Sequence, residues 1–541
     1  MRRRPTSGGP SNHFRAPARR SGGATPTATL EPEATVVPRP MPASGRPGSS
    51  DRRWADRSAP EAPRSEPPPE VRDSALPAGH PLERAAEDER LHAHEAGTRE
   101  AFDRIEPVLR RIAGMREDAD FRRRAQAEAE AGLGFRLPEA LLRDAWVRSL
   151  DVPGLYAHAL FETYRRWAQA FFTEGPLAVG EAEQARFEGW LHECGYHALD
   201  LSPCSDGRLA HVIRYVLRLP VESVRRKSFA GALFDIENGL QRWIRTELGR
   251  YRHGVPTGPE AGTRYLKVAV YHYSSRDPEQ GCAAHGSDTV RAMEAAIERL
   301  RDLRSAVDNT FCCGEALELL LIGLDTDTDA VRIHPPGTDG LPRPAVRVEV
   351  ADLFEETAAL SPEAARERIR ERVAATEPTA APGLQRLMAG LAENNIAQIG
   401  YVRRHHGGHY ADAGHQERFV AVGRGFEEVQ LRNLTYFAYL NTVEEGAPDL
   451  DVGVKIFSGL NVRRGLPVPV VVRFDYDGQV PGARERAEEQ CHRVESALRE
   501  RYADRVAAGE LHTLTAVRDM GGTNIEVLGS SVEPETAGEA H

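Results

Sequence analysis

The chain has very little lysine, few cysteines and no long apolar run. Of its 70 basic residues, only Lys227, Lys267 and Lys455 are lysines. A GC-rich genome explains this bias, and composition alone does not indicate selection for arginine's planar side chain. Six cysteines in 541 residues are too few for a disulfide framework. We therefore expect a reducing, cytosolic setting in which thiols bind metal or take part in catalysis.

The absence of about 18 consecutive apolar residues excludes a membrane-spanning helix. The N-terminus also lacks the apolar stretch of a secretory signal. A formal net charge of −11 and a pI near 6.0 argue against a body that binds nucleic acid. A hydrophobic content of 40% over 541 residues supports about two to four domains with real cores.

Residues 1–78 are rich in proline, glycine, serine, alanine and arginine, with few aromatic or branched side chains. Such a composition cannot bury enough apolar surface to offset the entropy of ordering, so we predict a disordered arm. Its first sixty residues carry eleven arginines against four acidic residues. Docking onto an acidic partner is the favoured interpretation, and a solvated tail and an organellar transit peptide are the alternatives.

Residues 79–178 show helical periodicity. Ile105, Val108, Leu109 and Ile112 recur at spacings of three and four, with charged residues between them. We predict a small all-helical domain without a ligand-like cluster, whose role is packing or docking.

From about residue 182 the pattern is typical of an α/β fold. Short apolar runs at 266–273, 316–324 and 396–402 predict buried strands. The charged, periodic segments 288–307 and 362–374 predict helices between them. Alternating strands and helices indicate a sheet with helices on its faces.

The most informative motif is Cys204-x-Asp206-x-Arg208, with His272 and Cys282 downstream. Cys204 follows a short strand-like run, His272 lies near the end of the next strand, and Cys282 lies in the loop after it. Since ligands of α/β sheets bind at the carboxyl ends of the strands, we expect the three side chains to converge. Two thiolates and one imidazole suit an open tetrahedral zinc site whose fourth position is left for water.

Asp206 and Arg208 add a charged pair beside that position. We expect Asp206 to accept a hydrogen bond from the reacting oxygen and to take its proton. Arg208 would keep Asp206 ionised and turned away from the metal. The pattern also predicts a helix over 209–217, and Ser287 or Asp288 as the N-cap of the helix after Cys282. The positive end of that later helix would favour a bound anion.

This combination resembles the β-class carbonic anhydrases. Most members of that class place the second cysteine three residues after the histidine, whereas here Cys282 follows His272 by ten. The carboxysomal (shell-associated) branch of the class has a similarly lengthened loop. Further sequence segments that resemble that branch lie at 281–288, 320–334, 426–440 and 449–461.

The resemblance implies a fold as well as an activity. The fold is α/β, with an N-terminal all-helical domain (79–178), a β-carbonic-anhydrase-like catalytic zinc domain (182–427) and a degenerate, metal-free repeat of that domain (428–541). The activity is that of a zinc lyase that interconverts CO2 and bicarbonate. One Zn2+ per chain would be held by Cys204, His272 and Cys282.

The resemblance further implies a location and partners. The family works in the bacterial cytoplasm, inside the carboxysome, where it converts bicarbonate to CO2 beside Rubisco. It assembles as a homodimer, and a higher oligomer is an open alternative. Rubisco or shell components are then the expected partners of the arm, with neither nucleic acid nor a membrane involved.

An internal repeat is indicated independently. Residues 468–478 align with 265–275, and each segment is followed by a loop and a long charged helix. In this alignment Asp475 takes the position of His272, and no cysteine takes that of Cys282. The copy therefore keeps the pattern of the fold and lacks the metal ligands.

Four histidines, His405, His406, His409 and His415, lie in a stretch with glycines and arginines. We predict a loop in which most of them are solvated. His409 or His415 is the candidate for a proton shuttle at the mouth of the site.

Three further features are open to two interpretations each. Cys312 and Cys313 suit core packing or redox sensing. The acidic segment 326–329 suits a strand-end loop or a hard cation. His285, close to Cys282, suits either a group that orients a ligand or a pocket wall.

Two functions compete on the sequence alone. The first is an active zinc enzyme. The second is a scaffold or interaction protein of the microcompartment whose zinc is structural. A structural site normally has four protein ligands, and the fourth would have to be Asp206. Arg208 at its side argues against that, so the enzyme is favoured.

Overall fold

The computed structural model describes residues 79–143, 150–254, 264–311, 317–439 and 443–532. The predicted arm (1–78) and the pair Cys312–Cys313 lie outside the described residues. No helix among the described residues is both long enough and apolar enough to cross a bilayer.

The region before the first sheet is helical. The amphipathic residues Ile105, Val108, Leu109 and Ile112 are all buried, which confirms the helical periodicity. The last long helix of this region has Pro153 in its first turn, where a missing N–H costs nothing. The helices are α1 (Ala85–Asp103), α2 (Ile105–Gly114), α3 (Phe121–Leu133), α4 (Glu139–Arg143), α5 (Val152–Glu174) and α6 (Glu181–Glu193).

The first sheet has six strands in the order β2-β1-β3-β4-β5-β6. Strands β2, β1, β3 and β4 are parallel, and β5 and β6 are antiparallel additions at one edge. The predicted strands at 266–273 and 316–324 correspond to β3 and β4. The strands are β1 (Ala198–Pro203), β2 (Val224–Arg226), β3 (Tyr265–Tyr273), β4 (Leu317–Asp325), β5 (Val331–His334) and β6 (Val348–Glu349).

Helices cover this sheet. The predicted helices at 288–307 and 362–374 correspond to α8 and α10. Residues 85–406 thus include one helical region and one mixed sheet, as the α/β pattern indicates. The helices are α7 (Ile236–Arg252), α8 (Thr289–Phe311), α9 (Val350–Thr357), α10 (Pro362–Thr376) and α11 (Pro382–His406).

Two local predictions are wrong. Residues 396–402 are not a strand, because they lie in the last part of α11, where Ile396 to Val402 are all buried. A short segment that is buried on every side has the same continuous apolar sequence pattern in a strand and in a helix. Residues 209–217 are not a regular α-helix, because a 3₁₀ turn at Gly207–Leu209 is followed by a π-type turn at Val212–Val216. Such turns are frequent next to functional sites.

The second sheet has five strands in the order β11-β10-β9-β7-β8. Read from its other edge, it repeats the first five strands of the first sheet. In both, four strands are parallel, and the hairpin strand beside them is antiparallel. The elements are β7 (Phe419–Arg424), β8 (Thr435–Tyr439), α12 (Val443–Leu460), β9 (Val468–Tyr476), α13 (Ala483–Arg501), α14 (Ala503–Ala507), β10 (Leu511–Asp519) and β11 (Ile525–Ser530).

A buried charge network holds α5 against the second sheet. Arg473 on β9 donates to Glu428 at 2.7 and 3.0 Å and to Asp475 at 2.8 Å, and all three side chains are almost fully buried. Arg473 also donates to the hydroxyl of Tyr164 on α5 at 2.6 Å. Arg518 completes the network by donating to Asp475 at 2.9 Å. Every charged group here depends on its partners, because water cannot replace them.

We expect Glu428→Gln to lower the free energy of unfolding by about 3 kcal/mol, because it removes one charge of a buried pair and leaves Arg473 under-compensated. Urea denaturation followed by circular dichroism measures the change. The exposed pair of Arg111 and Glu128 provides the control, since Arg111→Gln should cost less than about 1 kcal/mol. Equal losses for the two variants would contradict the importance of the network.

Candidate metal centre

The three predicted ligands lie at one edge of the first sheet. Cys204 follows the last residue of β1, and His272 is the penultimate residue of β3. Cys282 lies in the loop after β3, just before a 3₁₀ turn at Ala283–His285. Because β1 and β3 are parallel and adjacent, their carboxyl ends bring Cys204 and His272 together. The loop then folds back to bring Cys282 beside them.

The ligand atoms of these residues all lie within 4.8 Å of one another. The Sγ atoms of Cys204 and Cys282 are 3.9 Å apart. Zn–S bonds of about 2.3 Å at tetrahedral angles would place two sulfurs about 3.8 Å apart. Both ring nitrogens of His272 are buried without a hydrogen-bond partner. The donor set therefore fits one tetrahedral metal ion, which would bind one of the two ring nitrogens.

The thiol of Cys204 shows why a cation suits this place. Its hydrogen bond with Cys282, together with burial, raises the pKa of Cys204 well above its usual value. The backbone N–H of Gly231 contacts the Cys204 sulfur at 3.3 Å. Backbone groups of Ala284 and His285 hydrogen-bond to Cys282. Neutral dipoles of this kind compensate two buried thiolates less well than a divalent cation does.

Asp206 is held by Arg208 in a bidentate pair. Arg208 donates from Nε to Oδ1 at 3.0 Å and from Nη2 to Oδ2 at 2.7 Å, and both side chains are buried. Burial by itself would raise the pKa of Asp206, but Arg208 and the nearby histidines outweigh it and hold that pKa well below its usual value. Oδ2 faces His272, 3.5 Å from Nε2. The carboxylate is thus ionised, fixed in orientation and next to the predicted ligands.

The remaining N–H groups of Arg208 bind backbone carbonyls of two loops. Nη1 donates to Gln280 at 2.5 Å and to Ala413 at 3.1 Å, and Nη2 donates to Gly281 at 3.3 Å. The guanidinium therefore joins the loop of Cys282 to the segment after α11.

A second acid–base group, absent from the sequence prediction, adjoins Asp206. Glu417 is buried, accepts from the N–H of Gly207 at 3.1 Å, and lies 3.0 Å from Nδ1 of His415. Nε2 of His415 is 3.8 Å from Oδ2 of Asp206. Burial lowers the pKa of His415, but Asp206 and Glu417 outweigh it and raise that pKa to about 9. Sequence analysis missed Glu417 because its only signal was a His-x-Glu spacing before a strand.

Of the two shuttle candidates, His415 is the one beside Asp206. His405 and His406 belong to the last turn of α11, so the prediction of a loop is wrong for them. The last turn has four basic residues. Their interaction with the negative end of the helix dipole stabilises the helix as far as His406.

The structure also decides two further sequence predictions, the acidic segment 326–329 and the N-cap of α8. Asp327 accepts from Ser274 at 2.7 Å and from the N–H of Arg276 at 2.9 Å, which fits a strand-end loop. Asp288, not Ser287, caps α8 by accepting from two backbone N–H groups at 2.9 and 3.1 Å. The carboxylate of Asp288 thus already occupies the helix end that was expected to attract an anion.

His285 lies 3.4 Å from the carbonyl oxygen of Gly231. The N–H of the same glycine contacts the Cys204 sulfur. Gly231 has φ +64, and a Cβ there would lie 2.5 Å from the His285 ring. The contact therefore requires glycine, and it supports the backbone next to Cys204.

We expect Cys282→Ser to lose one equivalent of Zn2+ per chain, because the two remaining ligands lose the chelate and its geometry. Metal analysis of purified, dialysed protein measures the loss. Cys491→Ser is the matched control, since that buried thiol lies in α13, away from the three ligands, and hydrogen-bonds to the backbone carbonyl of Ala516. Full zinc content in Cys282→Ser would show that another residue is the third ligand, with Cys312 the next candidate.

Comparisons with known proteins show the family of the chain. Three family models match: Carboxysome Shell Carbonic Anhydrase, N-terminal, over residues 80–172; the catalytic domain of the same name over 186–415; and the C-terminal domain over 416–532. The predicted ligands, together with Asp206 and Arg208, fall in the segment matched by the catalytic model.

Similar whole proteins carry the same name. The carboxysome shell carbonic anhydrase of Prochlorococcus marinus (strain MIT 9313) is 51% identical over 492 residues, covering 88% of this chain and 96% of the relative. That of Parasynechococcus marenigrum (strain WH8102) is 51% identical, covering 85% and 80%. That of Halothiobacillus neapolitanus is 42% identical, covering 78% and 85%. The chain therefore belongs to the carboxysome shell carbonic anhydrase family.

Proposed function

We propose that the chain catalyses the zinc-dependent, reversible hydration of CO2, and that it supplies CO2 from bicarbonate to Rubisco inside the carboxysome. Family membership makes it a carbonic anhydrase with a catalytic domain. The observation that carries the proposal is the open triad of Cys204, His272 and Cys282 next to the ionised pair of Asp206 and Arg208. Three ligands leave room for a reactant, and the pair supplies an acceptor beside it.

The residues divide the chemistry among them. Zn2+, when bound, lowers the pKa of water to about 7 and so supplies hydroxide at neutral pH. Asp206 accepts a hydrogen bond from the attacking oxygen through Oδ2, which Arg208 keeps in place. A carboxylate oriented in this way aims the oxygen lone pair at CO2 and accepts a proton when one must leave.

The scaffold alternative requires Asp206 as a fourth ligand. Both oxygens of Asp206 are engaged by Arg208, and the backbone N–H of Arg208 adds a further hydrogen bond to Oδ1 at 2.9 Å. Asp206 would have to give up these bonds to bind the metal. The geometry supports an open site and hence an enzyme.

We further propose that the second sheet is a degenerate, metal-free copy of the first, and that the zinc domain is of the β-carbonic-anhydrase kind. The shared strand order supports the first point, and the Cys-x-Asp-x-Arg spacing supports the second. Asp475 is the eighth residue of the nine-residue strand β9, as His272 is of β3. Asp475 is bound by Arg473 and Arg518.

Asp206→Asn should keep its zinc and lose most of its turnover, about a hundredfold or more, because an amide cannot act as the same acceptor and base. Stopped-flow CO2 hydration, with metal analysis of the same sample, gives both values. Asp352→Asn, an exposed change on α9, is the control. Wild-type turnover in Asp206→Asn would rule out this role for the carboxylate.

The arm and the oligomer remain proposals. The excess of arginine in the first sixty residues supports docking of the arm onto an acidic partner. Rubisco is the candidate we put first, with shell components as the alternative. We also propose a homodimer.

Deletion of residues 1–75 should leave CO2 hydration unchanged, because the metal centre lies wholly within residues 204–417. The deletion should weaken capture of Rubisco, and the difference should fade with salt, since exposed charges are screened beyond roughly 8 Å at physiological ionic strength. Pull-down with full-length and truncated chains at low and high salt measures this. Equal recovery of Rubisco by both chains would contradict docking through the arm.

A further inference from the structure

A second group of metal-binding side chains lies between the helical region and the catalytic region. His92 and Glu95 are three residues apart on one face of α1, and His406 ends α11. Their ligand atoms all lie within 4.8 Å of one another, the same limit that the group at Cys204 meets. The helical region 79–178, for which the sequence predicts no ligand-like cluster, supplies two of the three members, and the third comes from α11. Sequence reading could not find this group, because its histidines are more than 300 residues apart.

One imidazole of this group has a buried nitrogen without a partner. Nδ1 of His92 is buried and has no hydrogen-bond partner among the described residues. Nε2 of His406 is 3.5 Å from Oε2 of Glu95. A ring nitrogen that is shielded from water and unpaired is costly, and a cation between the rings and the carboxylate would satisfy it.

Neighbouring residues hold the ligands in place. The ring of His405 stacks on that of His92, with centroids 4.2 Å apart. Tyr401 donates to Oε2 of Glu95 at 2.6 Å, and Arg99 donates to Oε1 at 3.0 Å. Contacts of this kind orient the ligands of metal sites.

Glu95 provides the negative charge. Burial raises its pKa, but His406, Arg99 and Tyr401 outweigh burial and lower that pKa well below its usual value. The group therefore presents a carboxylate and two imidazoles to one point.

We propose that His92, Glu95 and His406 bind one divalent transition-metal ion that fastens α1 to the end of α11. Two imidazole nitrogens with one carboxylate oxygen suit Zn2+, Co2+ or Ni2+, and they do not suit Ca2+ or Mg2+, which take oxygen ligands. The ordinary alternative is a salt bridge between Glu95 and a protonated His406 with no metal.

An ion bound at His406 would lie next to the segment that leads to the proposed catalytic centre. His406 is followed directly by the segment that carries Ala413 and His415, which contact Arg208 and Asp206. An ion at His406 would hold the start of that segment against α1, because binding to the folded state alone stabilises it.

The test uses the full-length chain with Cys204→Ser and Cys282→Ser, which removes the thiolate ligands of the proposed catalytic zinc. Dialysed against low-micromolar Co2+, this chain should keep one equivalent and show an absorption spectrum of Co2+ with nitrogen and oxygen ligands. Adding His92→Gln and His406→Gln should remove that equivalent. His409→Gln is the matched control and should keep it.

Thermal unfolding gives a second readout. Zn2+ should raise the midpoint of the cysteine variant, and it should leave the midpoint of the added His92→Gln/His406→Gln variant unchanged. If the cysteine variant is unfolded, the same histidine changes are made in the wild-type chain. One equivalent should then be lost, and the equivalent held by the thiolates should be kept.

Two results would overturn the proposal. One is that the folded cysteine variant binds no metal at low-micromolar concentration. The other is that its metal is unaffected by the changes at His92 and His406. Neither result bears on the catalytic zinc, which is judged separately by the zinc content and activity of the wild-type chain.

Discussion

The proposed catalytic arrangement depends on one buried guanidinium. Arg208 is fully buried and binds both oxygens of Asp206 together with three carbonyl oxygens. Arginine alone can do this, because its planar fork matches a carboxylate and still has N–H groups to spare. The carboxylate, the loop of Cys282 and the segment of His415 are therefore fixed relative to one another by one side chain. Each of them would otherwise move on its own loop.

Strands β1 and β3 position the other two proposed ligands, Cys204 and His272. Ligands from parallel neighbours meet at the carboxyl edge of the sheet without strain, since β1 and β3 pair along their whole shared length. Only Cys282 comes from a loop, and the hydrogen bond from Arg208 to the carbonyl of Gly281 holds the residue before it. The site combines a rigid edge for two ligands with a tethered loop for the third.

Several strands and the charged pair of the site could be predicted from the sequence. The elements and residues that could not be predicted were missed for physical reasons. The Cys-x-Asp-x-Arg spacing is local, so it indicated Asp206 and Arg208 as a charged pair, and the structure has them paired and buried. Strands β3 and β4 are continuous apolar runs, which parallel, fully buried strands produce. The run at 396–402 is equally apolar, yet it lies in a helix buried on all sides, and periodicity cannot separate the two cases. Glu417 and the group at His92 were missed because tertiary contacts alone give them partners.

The two sheets have different polar residues at the same buried position of their central strands, and each residue has different neighbours. At the eighth position of the central strand, the first sheet has His272 beside two thiols, and the second has Asp475. A group buried there needs a compensating charge, since desolvation of an unpaired ion is costly. In the second sheet that charge comes from Arg473 and Arg518, whose side chains also pack on aromatic rings, Arg473 on Phe426 and Arg518 on Phe172. These guanidinium groups fill the space around the carboxylate, whereas a small metal ion would leave one coordination position open. On the proposal that the second sheet is a degenerate copy of the first, exchange of thiols for arginines turns a metal-binding edge into a stabilising one without any change in topology.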